Sequence, residues 1–350
     1  MGEPVGLLII IRPVRALRTP LICRRMDAAR ARKPRLVALG AFAVANFVFQ
    51  DFRAQAPSIG KLPMSELPAP IAPDLNEAIK YALLVKSAED VPPNQTVYHP
   101  GDVIHITYGS IDVDYTVVTT IYANDLATDV HPLRADQIVS FGVVVQDVRG
   151  NGVVAIRGTA GIFEWAQDIR FLLVKCPILP GAGFTEDGFT AVYESLRIAQ
   201  DPASMRLVDA LPSMPFPHAV TSMTICGHSL GAAIATLLAL DVGANTKFAK
   251  PTSYTYASPR LGDPSFVDTY NQLVPNTYRF ANRLDLVPKL PAPPLYEHVL
   301  GLQDLNPMLK VKWDIPCEHH LTTYLYLLSL LSGGTILPLD GDCLPGNQLI

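Results

Sequence analysis

Ile225-Cys226-Gly227-His228-Ser229-Leu230-Gly231-Ala232 decides how this chain is read. An apolar run, Val220 to Cys226, comes before it and predicts a buried strand. A small, almost wholly apolar run, Leu230 to Val242, follows and predicts a buried helix. A G-x-S-x-G between a strand and a helix is the setting in which a sharp turn lifts a serine hydroxyl out at the top of a sheet. Gly227 and Gly231 leave room for the reversal, and Ala232, Ala233 and Ala235 let the helix lie close to the sheet. The pentapeptide alone also occurs by chance in glycine-rich loops. Its two flanks argue for Ser229 as a nucleophile.

Upstream, Val103–Tyr108, Tyr115–Tyr122 and Ile138–Gln146 are rich in Val, Ile, Thr and Tyr and predict strands. Asn151-Gly152 predicts a hairpin turn into a further strand, Val153–Arg157. That strand ends in Gly158 and Thr159. Acyl transfer needs N–H donors aimed at the oxyanion that forms when serine attacks a carbonyl. One donor is the amide of the residue after the nucleophile, Leu230; Thr159 is the candidate for the other. Arg157 is expected to be structural, paired with Glu164 or Asp168. His99, His105 and His131 have no serine or acid motif nearby and are expected to be structural too.

Downstream, Ser253–Ala257 and Thr277–Ala281 predict two more buried strands. Strands alternating with helices give an α/β fold with a central, mostly parallel sheet flanked by helices. Asp285 follows the second of these strands, where the third member of a Ser-His-acid triad would hold the histidine in its working tautomer. Asp263 and Asp268 compete, and Asp263 reads as a loop or cap residue. The chain order Ser, acid, His leaves His298, His319 and His320 as bases. His218 lies in a proline-rich loop and is expected at the surface. Thr185 to Gly188 offers caps for a helix from Glu186 to Ala199, and Asp74 caps one from Leu75 to about Asp90.

Taken together, Ala155-Ile156-Arg157-Gly158-Thr159, Glu164-Trp165, Asp168, Gly227-His228-Ser229-Leu230-Gly231 and Ser258-Pro259-Arg260-Leu261-Gly262 resemble the class 3 (fungal-type) triacylglycerol lipases, of the α/β-hydrolase superfamily. The resemblance covers roughly Leu75 to Leu331. It implies an α/β-hydrolase fold and a lid candidate at Ala160 to Trp165; within that stretch Phe163 and Trp165, if exposed, are residues to touch lipid or acyl chain, a buried Trp being the commoner outcome. The family pattern N-x-x-D-x-V-P falls on Asn282, Asp285, Val287 and Pro288. The pattern H-x-L-x-x-Y-L places the base at His319. The elbow histidine, His228, is a packing residue in that family.

The chain has 350 residues, nearly half of them hydrophobic, and a net charge of −4, which offers nothing to nucleic acid. Up to Pro34, Arg12, Arg15, Arg18, Arg24, Arg25, Arg30, Arg32 and Lys33 face only Glu3 and Asp27. Leu36 to Phe49 is an uncharged run, too short for a membrane span of ~20 residues. It suits a signal-peptide core, with Ala54-Gln55-Ala56 as a small-x-small site and Met26 as an alternative start. A membrane-peripheral tail is the other reading. The organisation expected is therefore residues 1–73 as leader and proline-rich linker, with any signal peptide within 26–56, and residues 74–350 as one hydrolase domain. Secretion or membrane-peripheral placement is favoured over a cytoplasmic one.

Cys226 predicts a buried thiol. Cys176, Cys317 and Cys343 offer one disulfide in an exported protein, and Cys343 is placed to tether the tail to Cys317. No phosphate loop, zinc spacing or repeat is present, and neither a metal nor a cofactor is expected. The expected activity is hydrolysis of lipid carboxylic esters, by a lipase or carboxylesterase, at an oil–water or membrane interface. A phospholipase A1 with the same triad, an acyltransferase, and a catalytically silent lipase-like binding module are the alternatives.

Overall fold

A computed structural model describes residues 72–92, 95–124, 138–159, 171–307 and 310–345, all within one compact unit. The leader and most of the linker therefore lie outside the described residues, as do His131, Phe163, Trp165 and the rest of the lid candidate. Among the described residues no helix is long and apolar enough to cross a membrane.

The chain enters through α1 (Leu75–Glu89), whose first turn is capped by Asp74, accepting from the Asn76 N–H at 2.8 Å. β1 (Val103–Tyr108), β2 (Ile111–Asn124), β3 (Ile138–Asp147) and β4 (Asn151–Ile156) then form an antiparallel meander. A separate pair, β5 (Leu173–Lys175) and β6 (Phe184–Glu186), leads into α2 (Asp187–Glu194). β7 (Ser222–His228), α3 (Leu230–Asn245), β8 (Thr252–Tyr256), α4 (Pro264–Leu273), β9 (Thr277–Asn282) and β10 (Leu302–Leu305) complete the sheet. Its order is β1-β2-β3-β4-β7-β8-β9-β10, and every pair from β4 onward is parallel. The last elements are α5 (Ile315–His319) and α6 (Leu321–Ser332).

Side chains alternate between two cores because successive residues of a strand face opposite ways. Val144, Val154 and Ile225 join one core with α2, α3 and α4. Val143, Val145, Val153, Ala155 and Cys226 join the other with α1 and α6. Cover on both faces explains why the parallel strands read as continuous apolar runs. This is the expected α/β fold, a central, mostly parallel sheet flanked by helices.

Two local readings need correction. The hairpin after β3 turns at Val148-Arg149-Gly150, and Asn151 and Gly152 already belong to β4. Asp147 fixes that turn by accepting from the N–H groups of Arg149 and Asn151, each at 2.9 Å, and Gly150 takes a φ of +86°. The helix expected to run to Ala199 stops at Glu194. There Ser195 accepts from the Asn124 N–H, and Arg197 pairs through its backbone with Tyr122 at the end of β2. Short, polar β10 carried no periodic signal in the sequence.

Candidate active site

The turn between β7 and α3 is as sharp as its glycines suggest. Ser229 is held at φ +58° and ψ −124°, a conformation few side chains adopt, and its N–H donates to the Tyr256 carbonyl at 2.9 Å. A Cβ on Gly227 would lie 2.3 Å from the Gly231 carbonyl oxygen, and one on Gly231 would lie 2.3 Å from that of Arg157. The elbow therefore packs backbone to backbone against the end of β4.

Ser229 meets the two partners proposed for it. The hydroxyl oxygen of Ser229 is 2.8 Å from Nε2 of His319, and Nδ1 of His319 is 2.8 Å from Oδ2 of Asp285. All three are buried, Asp285 completely. The Val287 N–H holds the other carboxylate oxygen at 2.9 Å. Burial pushes the His319 pKa down and outweighs the opposing pull of Asp285, so the ring is a neutral acceptor at neutral pH. The competing groups stand elsewhere. His298 turns Nε2 to the Pro288 carbonyl, and burial drives its pKa to about 3. The His320 ring is half exposed and faces Asp340. Asp263 caps α4, and Asp268 is exposed.

Residues 153–294 match the sequence profile of the family Lipase (class 3). Over this stretch the chain is similar to the class 3 lipases. The chain is 35% identical over 204 residues to "Phospholipase A1-II 4" of Oryza sativa subsp. japonica, which takes in 51% of this chain and 50% of that protein. It is 33% identical over 157 residues to "Phospholipase A(1) DAD1, chloroplastic" of Arabidopsis thaliana, covering 41% and 34% of the two chains. The chain spans about half the length of the curated relatives it matches, or less. Among solved structures, Lip2 lipase from Yarrowia lipolytica aligns with a TM-score of 0.45 at 18% identity, over 66% of this chain and 78% of that one.

The oxyanion candidates follow the ends of β4 and β7, close to Ser229. Leu230 opens α3, where first-turn N–H groups have no partner within the helix. Thr159 follows Gly158, and a Cβ on Gly158 would lie 3.3 Å from the carbonyl oxygen of His228. Arg157 donates to the carbonyls of Ser140 and Gly158, at 2.7 Å each, while Glu164 and Asp168, the acids expected to pair with it, lie outside the described residues.

Several residues that support this candidate site carry no assigned task in the sequence analysis. Tyr324 donates its phenol to Asp285, and Asn282 donates to the carbonyl of Glu318 at 2.8 Å, which anchors α5 just before His319. Both lie inside the quoted patterns, so the signal was available. His228, read as packing, bonds through both ring nitrogens. Glu89, the last residue of α1, accepts from the Gly158 N–H at 3.0 Å and faces His228. An acid at a helix end, beside Asp90, gives no local sign of this.

Proposed function

We propose that this chain is a serine hydrolase of glycerolipid carboxylic esters, acting through an acyl-enzyme on Ser229. The observation that carries the proposal is the buried line from Ser229 through His319 to Asp285, with both contacts at 2.8 Å. In the first half-reaction His319 takes the hydroxyl proton as the serine oxygen bonds to the ester carbonyl carbon. The N–H groups of Leu230 and Thr159 face the oxyanion. As the tetrahedral intermediate collapses, the C–O bond to the alcohol breaks and His319 returns the proton to the leaving oxygen. Water then repeats the sequence on the acyl-serine, releasing the fatty acid. Asp285 keeps Nδ1 protonated throughout and stabilises the imidazolium.

The experiment compares wild type with Ser229→Ala on a p-nitrophenyl ester and with a fluorophosphonate probe. Loss of turnover and labelling in a folded variant is expected. Activity kept in the variant would reject the assignment. A wild type that neither labels nor turns over would revive the silent-module reading.

Within that class, the names of the curated relatives favour phospholipids as substrate and the sn-1 ester as the bond cut. Exposed apolar side chains near the triad in sequence support action at a lipid surface: Leu284 and Leu286 on either side of Asp285, and Trp313, 85% exposed, ahead of α5. Phosphatidylcholine carrying different acyl chains at its two positions, assayed beside triacylglycerol, separates the choices. Release of the sn-1 chain favours phospholipase A1, and turnover of triacylglycerol alone favours a lipase.

A further inference from the structure

His228 presents two ring nitrogens to two groups that accept hydrogen bonds. Nδ1 lies 2.8 Å from Oε1 of Glu89, and Nε2 lies 2.9 Å from the carbonyl oxygen of His319. The carbonyl has no proton to give. Oε1 of Glu89 also accepts from the Gly158 N–H at 3.0 Å, as an ionised carboxylate does. Both acceptors are satisfied at once when both ring nitrogens carry protons, which makes His228 an imidazolium paired with the Glu89 carboxylate.

We propose that the Glu89–His228 ion pair is a clamp that positions the candidate base, and that activity is lost at high pH when His228 gives up its second proton. This rests on the hydrolase reading above. One end of the clamp holds the backbone of His319, whose ring must stay in line with Ser229. The other end holds Gly158, next to the oxyanion candidate Thr159. A neutral His228 can donate from only one nitrogen. Either the carbonyl of His319 is released, or a lone pair on Nδ1 faces the Glu89 carboxylate. In both cases a buried acceptor loses its donor, which is costly where water cannot replace it.

Two carboxylates near His228 favour the imidazolium. Glu89 faces it from α1, and Asp285 lies beyond His319 on the loop after β9. From α5 the neutral His319 ring lies 4.9 Å away, tilted by 34°, and from α6 the Tyr324 ring meets it edge-on at 6.1 Å. The Arg157 guanidinium, at the end of β4, donates to the carbonyls of Ser140 and Gly158. Burial opposes a charge on His228, but Glu89 outweighs it and the pKa is raised. Glu89 is likewise held below the ordinary carboxylate range, against its burial, by His228 and the Gly158 N–H. A raised histidine pKa gives stability that is complete below the unfolded value and lost as pH rises through the folded one.

The pair predicts that the two histidines bound activity from opposite sides. His319 must be neutral, which sets an acid limb, and His228 must be charged, which sets an alkaline one. The test uses the full chain and a soluble p-nitrophenyl ester, with kcat followed from mildly acidic to alkaline pH. In Glu89→Gln the alkaline limb should move down by about one pH unit or more, because the anion that favours the imidazolium is gone, while the acid limb is not raised. In parallel, nitrogen NMR of the histidine-labelled wild type should show both nitrogens of His228 protonated at neutral pH, with one proton lost over the range of the alkaline limb. An alkaline limb unmoved in Glu89→Gln, or a neutral His228 ring at neutral pH, overturns the clamp. If Glu89→Gln does not fold, the wild-type NMR titration decides. A wild type with no esterase activity would instead overturn the hydrolase reading and leave the His228 protonation state still measurable.

Discussion

The phenol of Tyr324 donates to Oδ2 of Asp285 at 2.7 Å, onto the same oxygen that faces Nδ1 of His319. Asp285 is shut off from solvent, so its charge is spread over Tyr324, His319 and the Val287 N–H. Hydrogen bonds to a charged group contribute about 1.5–3 kcal/mol each.

Tyr324→Phe removes one of these donors and keeps the ring that packs in the core. Two results are expected together. Stability should fall by about 1.5–3 kcal/mol, read as a lower Tm. The carboxylate, with less of its charge satisfied, should pull harder on the His319 proton, so the acid limb of kcat/KM should move to higher pH. An unchanged acid limb would mean that Tyr324 only fills space.

The acid limb of the wild type has a direction of its own. Burial holds the His319 pKa below the ordinary imidazole value of about 6.5. Its neutral ring is the acceptor for the Ser229 proton. The kcat/KM plateau should therefore extend to pH values where an exposed histidine is already half protonated. The same depression makes the folded state bind a proton less readily than the unfolded chain, so through this group stability falls as pH drops below about 6.5. A midpoint above that value would exclude His319 as the group controlling the limb.

Gly231→Ala and Gly243→Ala test the elbow from within one helix. A methyl at 231 would meet the Arg157 carbonyl oxygen at 2.3 Å, and backbone cannot step aside cheaply. Overpacking of this kind costs about 1–3 kcal/mol. It also pushes on the strand end that carries Thr159, so both Tm and kcat should fall. A methyl at 243 meets the Pro251 side chain at 3.2 Å and should cost less while leaving kcat unchanged. Equal effects on kcat at the two positions would show that the close approach at Gly231 has no bearing on the reaction.

The fold and the Ser229, Asp285 and His319 grouping were legible because their signals are local. Strand, turn and helix are contiguous at Ser229, and Asp285 and His319 each fall inside a short pattern. The α2 boundary was not legible, since the helix ends where Arg197 pairs with Tyr122, 75 positions earlier in the chain. Glu89 was invisible for the same reason. Its partners, Gly158 and His228, are distant in sequence, and no periodicity marks the residue that closes such a gap. Tyr324 was quoted within a pattern but given no role, because a tyrosine in an apolar helix reads as core until its hydroxyl is seen to reach an acid.

The disulfide Cys317–Cys343 ties α5, two residues before His319, to the C-terminal segment. It pins that segment further through the Lys312 N–H, which donates to the Cys343 carbonyl at 3.0 Å. The bond closes a loop of 26 residues, which on chain entropy alone is worth about 3.5 kcal/mol. The double variant Cys317→Ser, Cys343→Ser should therefore lose a large part of its thermal stability. Its kcat, measured well below the lowered Tm, should stay close to wild type. The reason is that two other bonds hold the backbone around His319: Asn282 to the Glu318 carbonyl at 2.8 Å and His228 to the His319 carbonyl at 2.9 Å. Neither depends on the sulfur bridge. Thermal denaturation and initial rates on the same samples separate the two effects. If kcat instead collapses while the protein is still folded, the bridge and not the Asn282 and His228 contacts sets the position of the base.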